Sequence, residues 1–253
     1  MKMKRNLFIS IVTIIVTIIG IIIYVALFKG KNNNDVSKEN AIKNPVNEVQ
    51  TEEIEYTSDV KDIAALKETN GDIYAWITIP GTEVDFPILQ AEEDDYYLNH
   101  TVEKTEGLPG AIYTNQVSGT DFKVPNTIVY GHNMKNGSYF GQLHLYEDEE
   151  FFNNNREICI YLVDRKLTFE IIMASKFNDS YLPEAYLMEN QVGVKQFLDE
   201  LANYAPNDQS SHFFTGYDMG KYNQIITLST CVKGVEDERY LVVGRLAKVE
   251  SYQ

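Results

Sequence analysis

The strand-forming run Ile225-Ile226-Thr227-Leu228-Ser229-Thr230 ends on Cys231. A thiol is a good nucleophile only as thiolate. With an unperturbed pKa of about 8.5, it needs an imidazole or a fixed cation beside it. The chain supplies one of each. His132 closes a second strand-like run, Asn126-Thr127-Ile128-Val129-Tyr130-Gly131, and Arg239 opens another eight residues beyond Cys231. Histidine exchanges protons near neutral pH, and an arginine can meet the charge of a developing oxyanion. Together these three side chains point to cysteine-dependent acyl transfer. Taken singly, each has an ordinary reading as a core cysteine, a loop histidine and a solvated strand end.

Elements must bring the three together. Strand-like runs recur at 74–79, 84–89, 111–114, 126–131, 157–163, 167–177, 223–230 and 239–247, eight short runs that suit a barrel or sandwich. A helix is expected over 59–71, with Gly71 as its stop. Two insertions look helical, one near 138–152 and one near 191–204, where Val192, Val194, Phe197, Leu198, Leu201 and Ala202 form an apolar stripe. The predicted class is therefore mainly β with helices.

Several strings, in order, resemble the sortases, specifically class B: Trp76-Ile77-Thr78-Ile79-Pro80-Gly81-Thr82, Asp85-Phe86-Pro87-Ile88-Leu89-Gln90, Tyr96-Tyr97-Leu98, Tyr130-Gly131-His132-Asn133-Met134, Asn136-Gly137-Ser138-Tyr139-Phe140-Gly141 and Thr227-Leu228-Ser229-Thr230-Cys231. The resemblance runs from about residue 60 to the end. It implies a closed eight-stranded β-barrel with N-terminal helices and a helix-bearing connection between strands 6 and 7. It also implies a cysteine transpeptidase of Gram-positive bacteria. Such an enzyme cuts a C-terminal sorting signal of secreted proteins, of Asn-Pro-x-Thr-x type, after Thr. It then passes the acyl group to an amine of peptidoglycan or its precursor, or to a pilin lysine.

On that reading Cys231 is the nucleophile, His132 the acid and base, and Arg239 the oxyanion or substrate donor. Ser229 and Tyr130 stand two residues before Cys231 and His132, on the same faces of their strands, and become substrate-binding candidates. The segment Tyr181-Leu182-Pro183-Glu184-Ala185-Tyr186 is a candidate groove wall. His100, His144 and His212 have no comparable context and stay outside the expected catalytic set. Water in place of the amine as second nucleophile remains open, as does a non-catalytic binding module on the same barrel.

No cofactor is called for. The acidic run Glu92-Glu93-Asp94-Asp95 lacks the spacing of a calcium loop and reads as a solvated turn, so no metal site is expected. Residues 7–28 are uncharged and mostly apolar, long enough to cross about 30 Å of hydrocarbon as a helix. A cleaved signal peptide has a shorter apolar core and ends in small residues, unlike Ala26-Leu27-Phe28-Lys29. Lys2, Lys4 and Arg5 precede the span, which places residues 1–6 in the cytoplasm and the bulk of the chain outside. Residues 29–56 read as a polar linker and 57–253 as the extracytoplasmic catalytic domain.

Of 22 Lys and Arg, five lie in residues 1–31, where there is no Asp or Glu. Residues 32–253 thus carry 17 cations against 37 carboxylates, a net charge of −20. That balance argues against nucleic acid as a partner. The two cysteines, Cys159 and Cys231, raise the question of a disulfide. The apolar run around Cys159, Ile158 to Val163, instead suggests a buried packing position.

Overall fold

A computed structural model describes residues 61–205, 207–219 and 223–252. The expected cytoplasmic residues 1–6, the span 7–28 and the linker 29–56 lie outside the described residues. Among the described residues no helix is long and apolar enough to cross a membrane.

All eight expected runs are strands. They are β1 (Ile73–Thr78), β2 (Asp85–Leu89), β3 (Ile112–Tyr113), β4 (Asn126–Tyr130), β5 (Glu157–Tyr161), β6 (Arg165–Asn178), β8 (Ile225–Cys231) and β9 (Glu238–Ser251). They pair in the order β5-β1-β2-β3-β4-β8-β9-β6, and a β5–β6 pairing closes the ring into an eight-stranded barrel. A ninth strand, β7 (His212–Phe213), was not foreseen. It pairs with Met173 and Ala174 of β6, beyond the stretch of β6 that β5 occupies. Two residues carry too little periodicity to announce a strand.

β4, β6, β8 and β9 alternate between two apolar environments. Inside the barrel lie Ile77, Ile88, Val129, Ile158, Ile160, Phe169, Ile171, Ile226, Leu228, Tyr240 and Val242. The opposite face of the wall presents Ile128, Phe177, Ile225, Leu241 and Val243, which pack against helices. Those helices, α3 (Leu182–Tyr186) and α4 (Gln191–Tyr204), form the expected connection between the sixth and seventh barrel strands. Asn190 caps α4, its side chain accepting from Gly193 N. Val194, Phe197, Leu198 and Leu201 are the buried stripe of α4, whereas Val192 is 79 % exposed. Two residues from Val194 is more than half a helical turn, so Val192 points away from the packed face.

The N-terminal helix is α1 (Ile63–Thr69), capped by Asp62, whose carboxylate accepts from Ala65 N. It is the one N-terminal helix among the described residues. The insertion expected near 138–152 divides into a 3-10 helix (Phe140–Glu147) and α2 (Glu149–Asn154), the latter capped by Asp148.

Candidate active site

Two facts of register set the site. β4 and β8 are parallel, with Tyr130 opposite Ser229, so the residues two further on, His132 and Cys231, leave the sheet at one end. β9 is antiparallel to β8, and its Arg239 is opposite Cys231. Alternation puts Ser229, Cys231, Arg239 and Leu241 on the outer face of the barrel wall, since Leu228 and Tyr240 point inward. The five candidates His132, Cys231, Arg239, Ser229 and Tyr130 all line one cleft of about 230 Å³. The segment Asn178 to Leu182, including the expected Tyr181, also lines it, as do Leu98 and Tyr113.

Cys231 is exposed and Cys159 is buried in β5; both thiols are free. His132 Nε2 lies 2.6 Å from Leu98 O. A carbonyl only accepts, so Nε2 carries a proton, and Nδ1 is the nitrogen left to gain and lose one. Gly131 makes this arrangement possible. A Cβ there would come within 2.5 Å of Ile112 Cδ1 and 2.7 Å of Phe140. Its backbone instead continues the pairing of β4 with β8: Gly131 N donates to Ser229 O at 3.2 Å, and Thr230 Oγ1 donates to Gly131 O at 2.8 Å.

Arg239 Nη1 donates to Glu236 O at 2.9 Å and Glu238 O at 3.0 Å. These bonds pin the guanidinium over the β8–β9 turn, and its five donors are not exhausted by them. Ser229 is 7 % exposed at the base of the cleft. The Tyr130 ring stacks on Tyr113 at 5.4 Å, and its hydroxyl is buried with no hydrogen-bond partner among the described residues. Burial, then the neighbouring Tyr181, Asp95 and Asp94, push its pKa far up, so the hydroxyl remains a donor.

Sequence reading missed three parts of the surroundings. The acidic run is more than a solvated turn: Asp94 Oδ1 accepts from Gln116 N at 2.7 Å, and Asp95 Oδ1 accepts from Tyr113 Oη at 3.0 Å and from Asn115 Nδ2 at 3.3 Å. Asp95 thereby reaches the cleft wall, and its left-handed backbone (φ 62°) turns it there. Asn133, next to His132 in the motif, donates to Cys231 O at 2.9 Å. His144, set aside for its acidic context, also touches that carbonyl, at 3.1 Å. Neither Asp95 nor His144 has a local sequence signal, because tertiary packing alone brings them here.

Comparison with known proteins agrees with the geometry. The sortase domain family profile matches residues 77–247. Sortase B of Listeria monocytogenes is 32 % identical over 193 residues, 73 % of this chain and 74 % of the relative. The crystal structure of Clostridium perfringens sortase B is 30 % identical, covers 73 % of this chain and 99 % of its own, and superposes with a TM-score of 0.63. A Staphylococcus aureus sortase B–substrate complex is 26 % identical, with a TM-score of 0.60 and coverage of 74 % and 84 %. With its eight-stranded barrel, helical connection and matching length, the chain belongs to the sortase family and within it to class B.

Proposed function

We propose that the chain is a membrane-anchored cysteine transpeptidase. It cleaves a C-terminal sorting signal of Asn-Pro-x-Thr-x type in secreted proteins, after Thr, and joins the new carboxyl end to a peptidoglycan amine. The observation that carries this reading is that the one exposed cysteine shares its cleft with a histidine and an arginine, each held by a backbone carbonyl.

In the first half-reaction the Cys231 thiolate attacks the Thr carbonyl carbon, and the carbonyl π electrons pass to oxygen. Arg239 N–H groups meet that oxyanion. Collapse of the intermediate breaks the C–N bond, His132 gives its proton to the departing amine, and a thioester on Cys231 remains. In the second half an acceptor amine attacks the thioester, loses a proton to His132, and expels the Cys231 thiolate. Tyr130 and Ser229 line the part of the cleft beside the nucleophile, and the buried Tyr130 hydroxyl is a donor for a backbone or side-chain oxygen of the signal. Supporting the anchoring, residues 7–28 are apolar and preceded by cations, which sets the catalytic part on the outer side of the cell membrane.

The test uses the full chain in detergent micelles with Asn-Pro-x-Thr-x peptides, with and without an added amine, and mass spectrometry of the products. Ligated product cut after Thr is expected. Hydrolysis indifferent to the amine would replace transpeptidase by peptidase, and no cleavage of any peptide in the panel would remove the assigned signal.

A further inference from the structure

Cys231 is the last residue of β8, and its carbonyl leaves the ladder there. Two side chains meet it: Asn133 Nδ2 at 2.9 Å and His144 Nε2 at 3.1 Å. The same Asn133 Nδ2 lies 2.9 Å from His144 Nε2, and His144 Nδ1 lies 2.6 Å from Glu147 Oε1. The proton inventory orders the cluster. An ionised carboxylate only accepts, so the imidazole carries a proton on Nδ1, and its Nε2 faces both the Asn133 amide and the Cys231 carbonyl. Asn133 Nδ2, a donor only, gives an N–H to Cys231 O.

Other contacts set the frame. The His144 ring stacks on Tyr240 at 5.0 Å, and Tyr240 is opposite Thr230, the residue before the nucleophile. His212 Nε2 holds the backbone carbonyl of Glu147 at 2.9 Å. Gly141 leaves room for the amide: a Cβ there would sit 3.0 Å from Asn133 Oδ1.

We propose that His144, oriented by Glu147, is a positioning residue of the catalytic site: it fixes the Asn133 amide, which ties the loop carrying His132 to the backbone of Cys231. The consequence is mechanical. His132 and Cys231 stand at the ends of two strands, where the ladder no longer fixes their separation. One amide spanning the gap does so, and a misplacement of about 1 Å in such a pair costs about a hundredfold in rate. His144 acts through Asn133 and through the backbone carbonyl of Cys231.

The inference rests on the transpeptidase reading, and the experiment separates the two. Full-length His144→Ala, Glu147→Leu, Asn133→Ala and the Asn133→Ala/His144→Ala double variant are compared with wild type. The readouts are kcat, KM, melting temperature and the iodoacetamide alkylation rate, which reports on Cys231 because Cys159 is buried. Each single variant is expected to lower kcat at least about tenfold with KM within about twofold, and the double variant to lose no more than the worse single one. Glu147→Leu decides the case even if His144→Ala fails to fold. It is close in volume but offers Nδ1–H no acceptor, so the imidazole loses the group that orients it. Wild-type kcat in Glu147→Leu, or losses that multiply in the double variant, would overturn the proposal. If the wild type turns over no peptide, the functional reading fails alone. The positioning role is then read from alkylation, where slowing in all three single variants upholds it and unchanged rates dismiss it.

Discussion

Tyr130 holds a buried hydroxyl that finds no partner among the described residues. Such a group destabilises the free protein by about 1–3 kcal/mol; Tyr130 lines the cleft, and on the proposed reading bound substrate supplies the acceptor by displacing what covers the hydroxyl. Two opposite effects should follow from Tyr130→Phe. Thermal stability should stay level or rise, because the unpaired hydroxyl is gone. KM for the sorting peptide should rise about 3–10-fold, the worth of one neutral hydrogen bond. A melting temperature that falls while KM holds would assign the hydroxyl a structural role instead. The neighbouring Tyr113 hydroxyl, which donates to Asp95, provides the contrast of a satisfied tyrosine in the same cleft.

Helix α4 shows how a whole element supports the cleft from outside the barrel. Phe197 is fully buried, with ring contacts to Phe177 at 5.8 Å and Tyr186 at 5.5 Å. Phe197→Ala should cost about 3–5 kcal/mol in urea unfolding, whereas Val192→Ala, one and a half turns earlier on the exposed side, should stay within about 0.5 kcal/mol. Equal effects would mean that the helix packs by a different face. Most strands were legible because their runs hold several strand-formers between turn signals, the two-residue β3 through its apolar run 111–114, and α4 because its stripe repeats at 3.6. The candidates His132 and Cys231 were legible because strand ends carry them inside the quoted strings, and Arg239 because it opens the next strand-like run. What stayed hidden has a common cause. β7 is two residues long, no 3.6 period marks where the expected helical stretch 138–152 divides into a 3-10 helix and α2, and His144 and Asp95 reach the site only through contacts distant in sequence. Asn133 lay within a quoted string, but nothing local marks its amide as the bridge to Cys231.

At the scale of the molecule, acid acts on this fold by protonating the carboxylates that its ion pairs hold ionised. Asp208 gives one identifiable contribution. The Lys176 ammonium, 2.9 Å away, and the Ser210 N–H and hydroxyl hold its carboxyl down to about 2, below the ordinary 3.8. A folded-state pKa below the unfolded one stabilises fully above the unfolded value and loses that contribution as pH falls through the folded value. Wild-type melting temperature should therefore drop between pH about 4 and about 2, and Asp208→Asn should flatten that drop. Because both partners are partly exposed, the difference should shrink at high salt. Identical slopes for the two proteins would take Asp208 out of the acid transition.

The covalent step is where the proposed chemistry stands or falls, and intact-mass spectrometry of the full chain mixed with an Asn-Pro-x-Thr-x peptide in the absence of amine reads it directly. The expected result is an adduct of the N-terminal peptide fragment on Cys231, discharged as ligated product when amine is added and absent in a folded Cys231→Ala variant. Product formation by Cys231→Ala, or turnover by wild type with the adduct mapped to any other residue, would contradict a thioester mechanism at this cleft.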